Sequence, residues 1–438
     1  MHPLPDSNLT THASRERLIA VRTMAAHLRV LFEVERELLR VVSTLIYRVG
    51  EPELKYTLCQ HIWEAAQHAR FLRERGRELS GFGNDEKVRP TIRRILEEAI
   101  VQPDPMHALA GIYRVIKPGL AGAYRHYLVI TEPLADWPSR KLVEEFLKDE
   151  ERHCRELSAW LTTVDAQESE AHIGDALGEL GGWLGQTGSK PLPSAYSWQS
   201  VENPYRHPAQ SNRGKYPCCS SVFGDDPAQF PVVRPWLTDP KTDPRVIRLM
   251  VYVWLLNEMD AVDYLATFFW DTPDYPFDLH YDLVRHLWDE SRHSAFGFRQ
   301  LPKLGVDPLT VEHAMDLYSV LVTMEPAERY AMMTMEFESG SFPTKAVVMD
   351  RVRELNDFEA DTLLAFDRND EQNHVRYGHR WLPELLRLRG DLRSVDQFVA
   401  DTRARFAGLA QIHAGTTPHT LPASQRLTGV SILRLAGS

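Results

Sequence analysis

The chain has 438 residues, of which 43% are hydrophobic and 10% aromatic, so it can bury more than one core and suggests two domains. A net charge of −11 and a pI near 5.9 count against a dedicated nucleic-acid or anionic-membrane surface. The first residues lack a basic region followed by an apolar run, and no later apolar run approaches about eighteen residues. We therefore expect a soluble, cytoplasmic protein with a small-molecule substrate and without nucleic-acid or membrane partners.

Apolar residues recur with helical spacing along most of the chain, which predicts an all-α fold. Two four-helix bundles are predicted, over 17–164 and 245–388. Residues 165–244 between them are rich in proline and aromatic residues and are too long for a loop within a bundle. We expect this irregular connection to be ordered against the bundles, with a lid over a site as one option. Residues 389–438 predict one short helix, near 394–412, and a loose tail.

Two Glu-x-x-His pairs occur in predicted helices of the second bundle. Glu290 and His293 form the first pair, and Glu371 and His374 form the second. Residues three apart share one face of a helix, so each pair can bind a metal ion. A lone pair of this kind is usually a solvated ion pair. Two pairs, each joined by a glutamate from a neighbouring helix, are the ligand set of a carboxylate-bridged two-metal site.

The joining glutamates are predicted from their distance along the chain. Glu258 lies 32 positions before Glu290, and Glu338 lies 33 positions before Glu371, whereas Glu336 is the alternative on the third helix. Glu336 and Glu338 face different sides, so only one of them can point inward. The predicted metal ligands are Glu258, Glu290, His293, Glu338 (or Glu336), Glu371 and His374, with Glu290 and Glu371 as the bridges.

Three further residues beside the pairs have predicted roles. Asp289 and Asp370 are expected to accept hydrogen bonds from the non-ligating ring nitrogen of the histidine on the opposite helix. His286 lies about two turns before His293, too far along the axis to share its metal, and is interpreted as a core histidine.

An internal repeat links the two helical halves. A shift of 225 positions superimposes Glu33 on Glu258, His61 on His286, Trp63 on Trp288, Glu64 on Asp289 and His68 on His293. A shift of 221 superimposes Asp149, Glu150, His153 and Arg155 on Asp370, Glu371, His374 and Arg376. Matches in order that include histidine and tryptophan indicate a duplicated bundle.

The first half has lost part of this ligand set. Ala65 stands where the second half has Glu290, and the third helix offers Tyr113, Arg114 or Lys117 where the second half has a glutamate. A two-metal centre needs about four carboxylates to balance its charge, so we expect the metals in the second bundle only.

The remaining polar residues of the first half are open to two interpretations. Glu33, His68, Glu150 and His153 are interpreted as a buried polar network, with Lys117 supplying positive charge. The alternative is a single metal ion held by these four residues.

The motif Asp-Glu-x-Arg-His, present at 289–293 and 149–153, resembles the signature of the ferritin-like superfamily in its ribonucleotide-reductase-like and di-iron oxygenase branch. The third motif departs from it, because Asn373 stands where the signature has arginine. The resemblance covers both helical halves and leaves the connection and the tail unmatched.

This resemblance implies two iron ions, or an iron/manganese pair, and dioxygen as co-substrate. It implies hydroxylation, N-oxygenation or desaturation of a small organic molecule, with electrons from an external reductase, a ferredoxin or the substrate, and it is compatible with a homodimer. The alternatives are a non-catalytic metal-binding or iron-handling protein and a tRNA-modifying hydroxylase, against which the acidic balance counts. A radical-generating enzyme would need a tyrosine beside the metals, for which Tyr252 and Tyr264 are candidates.

Overall fold

The computed structural model describes residues 20–79, 87–187, 205–413 and 417–437. Helices dominate these ranges, whose strands have two residues each, so the all-α prediction is confirmed. The start of the predicted first bundle, 17–19, and part of the predicted connection, 188–204, lie outside the described residues. Across the described part of the chain, no helix has both the length and the apolar character required to cross a membrane.

Internal contacts divide the chain into two units. Unit 1 contains the described residues up to Leu45 and those from His61 to Tyr205, and unit 2 contains Ile46–Gln60 and the described residues from Arg206 onward. These boundaries differ from the predicted ones, because the residues predicted as a separate connection, 165–244, are divided between the two units. Residues 46–60 were assigned to the first bundle by sequence, whereas the structure groups them with unit 2.

The first half of the chain, which includes unit 1, is helical. Its elements are α1 (Val21–Ile46), α2 (Pro52–Glu78), α3 (Pro90–Ile100), α4 (Pro105–Gly111), the π segment π1 (Ile112–Ile116), α5 (Lys117–Ile130), α6 (Trp137–Leu161), α7 (Gln167–Glu179) and a 3₁₀ turn (Trp183–Thr187). Neither α3 nor α7 was predicted as a helix. Pro90 is the first residue of α3, where the missing proline N–H would have no helical partner anyway.

Unit 2 continues with short strands and long helices. Its elements are β1 (Cys218–Cys219), β2 (Phe223–Gly224), β3 (Val232–Val233), α8 (Arg234–Thr238), α9 (Pro244–Asn257), α10 (Met259–Asp271), α11 (Phe277–Gln300), 3₁₀ turns at Leu301–Leu304 and Pro308–Thr310, β4 (His313–Ala314), α12 (Asp316–Leu321), α13 (Pro326–Ala331), the π segment π2 (Met332–Glu338), α14 (Ser339–Arg353), α15 (Phe358–Arg389), α16 (Val395–His413), a 3₁₀ turn (Ala423–Gln425) and α17 (Gly429–Gly437). β1 pairs with β4, and β2 pairs with β3, both in parallel.

Three details of unit 2 are not given by helical spacing alone. Residues 308–321 contain a 3₁₀ turn, the strand β4 and the short helix α12 in place of one continuous helix. The helix α14 continues through Pro343, although a proline usually ends or kinks a helix. The tail ends in the helix α17.

A close contact between α9 and α11 brings the predicted ligands of these helices together. A Cβ atom on Gly297 of α11 would lie 2.4 Å from both Leu256 N and Tyr252 O of α9. Glycine therefore lets the two backbones approach to a distance that a side chain would prevent. The chain passes from α9 to α10 at Glu258, so this carboxylate lies at a break in the helix on the side of α11.

Candidate metal centre

The six predicted ligands meet in unit 2 as two adjacent clusters. Group A consists of His286, Glu290, Glu338 and His374, and group B consists of Glu258, His293, Asp367 and Glu371. In each group, one ligand atom per residue lies within 4.8 Å of the others. Each group thus combines at least one histidine with at least two carboxylates, the donor types that suit first-row divalent metals.

The two groups share a border formed by α11 and α15. His374 Nδ1 lies 3.3 Å from Glu290 Oε1, 3.4 Å from Glu338 Oε1 and 3.8 Å from Glu371 Oε2. In group B, His293 Nδ1 lies 3.2 Å from Glu258 Oε2. His374 of group A thus lies beside Glu371 of group B, as expected if the two Glu-x-x-His glutamates lie between two metal positions.

Only one of the two candidate glutamates on the third helix reaches the centre. Glu338, the last residue of π2, faces group A and is buried. Glu336 instead makes a two-point ion pair with Arg403 of α16, at 2.7 and 2.5 Å. Glu336 is therefore outside both donor groups.

Asp289 and Asp370 lie where the sequence analysis expected them. Asp289 Oδ2 is 3.4 Å from His374 Nε2, and Asp370 Oδ2 is 3.4 Å from His293 Nε2. Arg292 lies between the two aspartates and bonds to both. Each aspartate accepts from the outer ring nitrogen of the histidine on the opposite helix, so the Nδ1 atom of that histidine is left to face the cluster.

Asp289→Asn is expected to lower metal affinity at group A by about 10–100-fold, because His374 loses its charged acceptor and an amide can present either an oxygen or an NH₂ group to the ring nitrogen. The measurement is a competition titration of the metal-free protein with Zn²⁺ and a chromophoric chelator. Asp361→Asn is the control, since Asp361 pairs with Arg353 at the surface. Unchanged affinity in Asp289→Asn would contradict the assigned role of this aspartate.

Three residues of the cluster were not predicted. His286, interpreted as a core histidine, has its Nε2 2.6 Å from Glu338 Oε1 and belongs to group A. Asp367 lies one turn before Glu371 on α15 and belongs to group B. Lys345 of α14 bonds to Asp367 and Glu371 at 2.7 Å each. His286 and Asp367 each lie four residues before the glutamate of a Glu-x-x-His pair, and this spacing could have predicted that they share its helical face.

The pKa values show a cluster with excess negative charge. Burial raises the pKa of Glu258 to about 8, with Lys345 opposing the rise and Asp367 adding to it. Burial also acts to raise the pKa of Glu371, but Lys345 and His374 hold it below its ordinary value. For His374, burial acts to lower the pKa, whereas Glu338 and Asp289 raise it well above its ordinary value. The cluster thus favours bound positive charge.

The donor set fits two divalent ions. Ligand-type atoms buried in the cluster have no hydrogen-bond partner among the described residues: His286 Nε2, Glu290 Oε1, Glu338 Oε1 and Oε2, His374 Nδ1, Glu258 Oε2, His293 Nδ1 and Glu371 Oε2. Such atoms are costly to bury unless another group binds them. Five carboxylates face the cluster and Lys345 balances one, so four negative charges remain to balance two divalent cations.

A cavity of about 970 Å³ reaches the carboxylates of both groups. Glu258, Glu290, Glu338 and Glu371 line its inner end. Residues of the predicted connection, including Phe223 and Arg234, line another part. The volume is sufficient for a small organic molecule beside the centre.

Unit 1 contains a polar cluster at corresponding positions, but a lysine is built into it. Lys117 donates to Glu150 Oε1 and Oε2 at 2.9 and 3.0 Å and lies 3.1 Å from His153 Nδ1. His68 Nδ1 contacts Glu35 Oε1 at 3.1 Å, and Tyr124 donates to the same oxygen at 2.6 Å.

The prediction for Glu33 in this network was wrong. Glu33 accepts from Arg29 and from the backbone N–H of Arg89 instead. Glu35, two residues later, takes the inward position, and Glu35, His68 and Glu150 are close enough to hold a single metal ion. Because Lys117 already neutralises Glu150, the structure favours the polar network.

The two units share local geometry at equivalent residues. The rings of His61 and His153 stack with centroids 3.9 Å apart, and those of His286 and His374 stack at 3.7 Å. Each unit also has a π segment in the helix before its last Glu-x-x-His pair. Lys117 directly follows π1, whereas Glu338 ends π2, so the lysine takes the position of the glutamate.

Residues 243–418 match the model of a family described as a protein of unknown function (DUF455). No curated protein and no solved structure matches the chain. Both donor groups lie inside the matched segment, and the described residues of unit 1 lie outside it.

Proposed function

We propose that this chain is a non-haem di-iron enzyme that uses O₂ to hydroxylate, N-oxygenate or desaturate a small organic substrate. The observation that carries the proposal is the pair of adjacent buried donor groups, which contain partnerless ligand atoms and whose glutamates line one cavity. Glutamate and imidazole suit Fe(II), and burial of the donor groups limits the access of water to reactive species formed there. The resemblance of 289–293 to the di-iron oxygenase signature supports the same function.

The proposed fold is two tandem ferritin-like four-helix bundles derived by duplication. Support comes from the stacked histidine pair in each unit and from the π segment before each last Glu-x-x-His pair. The second bundle keeps the metal ligands, whereas Ala65 and Lys117 replace two of them in the first.

The residues of the centre have three proposed roles: binding the metal ions, orienting the histidines and giving the substrate access. Glu258 and His293 would hold one ion, Glu338 and His374 the other, and Glu290 and Glu371 would lie between them. Two iron ions held there would supply electrons for the reduction of O₂. Asp289 and Asp370 fix the orientation of the histidines, and the cavity admits the organic substrate to the carboxylate side.

Glu338→Ala, with Glu336→Ala as its matched control, tests this function. The two glutamates are two positions apart, but only Glu338 faces a donor group, whereas Glu336 pairs with Arg403. Metal-free protein is loaded with Fe(II) under anaerobic conditions, desalted and assayed for iron. We expect about two irons per chain in the wild type and in Glu336→Ala, and one or fewer in Glu338→Ala.

Exposure of the loaded wild type to O₂ separates an enzyme from an iron-handling protein. For an enzyme, we expect about one O₂ consumed per two Fe(II), with the iron retained on the chain. An iron-handling protein given excess Fe(II) would oxidise many ions per chain and accumulate or release them. Absence of bound iron in the wild type, or equal loss in both glutamate variants, would overturn the di-iron proposal.

A further inference from the structure

The two donor groups differ in how their oxygens are already bound. In group A, both carboxylate oxygens of Glu338, one of Glu290 and Nδ1 of His374 have no hydrogen-bond partner among the described residues. His286 Nε2 lies 2.6 Å from Glu338 Oε1 yet is also without a hydrogen bond, because the two are not aligned for one. The atoms of group A thus converge without satisfying one another.

Group B already contains a cation. The Lys345 ammonium bonds to Asp367 Oδ1 and Glu371 Oε1 at 2.7 Å each and lies 3.9 Å from Glu258 Oε1. Three of the four residues of group B therefore contact one ammonium group, whose residue is 5% exposed. His293 also faces Asp367, with Nδ1 3.4 Å from the oxygen that Lys345 binds.

Unit 1 provides a second example of a lysine ammonium bound within a cluster of this kind. There the ammonium of Lys117 is bound by Glu150 and His153, a Glu-x-x-His pair equivalent to Glu371 and His374. In both units a buried lysine thus binds the glutamate of the last Glu-x-x-His pair, from different positions on the preceding helix.

We propose that Lys345 makes the centre load unequally, so that group A binds the first divalent ion tightly and group B binds the second more weakly. This inference rests on the proposed two-metal function. A second ion must compete with the ammonium for Glu371 and Glu258, and it enters beside a positive charge in a poorly solvated site. The expected difference between the two dissociation constants is at least about tenfold. Lys345 thereby sets the metal concentration at which the centre becomes complete.

The test is a titration of the metal-free full chain with Mn²⁺, followed by electron paramagnetic resonance. The spectrum reports free Mn²⁺ and distinguishes an isolated bound ion from a spin-coupled pair. For the wild type, we expect an isolated-ion spectrum up to one equivalent and a coupled spectrum only afterwards. His286→Gln is expected to weaken the first binding step and leave the second, which identifies group A as the tight site.

Lys345→Met is expected to bring the two dissociation constants within about threefold, and coupled pairs should then form below one equivalent. Lys345→Arg keeps the charge and should retain the unequal binding of the wild type. Lys303→Met is the control for net charge, because Lys303 pairs with Glu359 at the surface. Circular dichroism of each variant confirms that it is folded.

The outcomes separate this inference from the proposed function. Two equal binding steps in the wild type, or unequal steps that persist in Lys345→Met, would overturn the role of Lys345 while leaving the two-metal centre in place. An absence of Mn²⁺ and Fe(II) binding in the wild type would overturn both.

Discussion

Glu371→Ala is expected to abolish tight binding of both ions, with a loss of affinity of more than about 100-fold at each group. Removing a hydrogen-bonding partner outside the ligand set costs about 10–100-fold, and a shared ligand should cost more. Glu371 belongs to group B, and its Oε2 also lies 3.8 Å from His374 Nδ1 of group A. Glu371 thus belongs to group B and borders His374 of group A.

Equilibrium dialysis against Zn²⁺, with metal analysis of the protein compartment, measures this loss. Glu384→Ala is the matched control on α15, because Glu384 pairs with Arg387 at the surface. The control should bind as the wild type does. If Glu371→Ala retained one tight ion, Glu371 would belong to group B alone and the shared-ligand arrangement would be wrong.

The residues that could be predicted from the sequence are those whose positions depend on helical periodicity. A Glu-x-x-His pair places both side chains on one helical face whatever the helix packs against. Asp289 and Asp370 directly precede the two glutamates, and the same periodicity directs each of them toward the histidine on the opposite helix. These relationships are local, so one sequence is sufficient to state them.

The residues that sequence reasoning missed depend on packing between helices. Lys345 reaches group B because α14 continues past Gly340 and Pro343, two residue types that usually weaken or end a helix. His286 was judged by its distance from His293 along one helix, but it meets Glu338 and His374 from other elements. Such contacts depend on where and at what angle the helices cross, and the periodicity of one helix does not contain that information.

The choice of Glu33 failed for a related reason. A shift of 225 aligns Glu33 with Glu258, but α9 ends at Asn257 and the backbone changes direction at Glu258. α1 has no such break between Val21 and Ile46. The inward position in α1 therefore falls two residues later, at Glu35, and a fixed shift cannot follow a local change in helical register.

Asp263→Ala is expected to lower the free energy of unfolding by about 3–5 kcal/mol, the cost of leaving buried charges without their partner. Asp263 binds the Lys55 ammonium through both oxygens at 2.9 Å and also contacts Arg213, and all three side chains are buried. The same contacts link 46–60 to the rest of unit 2, since Lys55 lies in the first turn of α2 and Asp263 lies on α10.

Urea unfolding of the wild type and of Asp263→Ala at pH 7 measures this cost. Asp361→Ala removes a surface ion pair with Arg353 and should change stability by less than about 0.5 kcal/mol. A loss below about 1 kcal/mol in Asp263→Ala would show that the buried cations find other partners, such as Asp260 for Arg213.

The pH dependence of the same variant separates loss of charge compensation from loss of packing. Burial lowers the pKa of Lys55 to about 8 even though Asp263 acts to raise it, so the alanine variant should lower it further. Between that lower value and about 8, the folded variant binds fewer protons than its unfolded chain, and its stability therefore rises with pH. In the wild type, Lys55 contributes no such rise in this range, because it is still protonated in both states. The deficit of Asp263→Ala should accordingly narrow as the pH rises to about 8, whereas a deficit caused by a packing defect alone would stay constant.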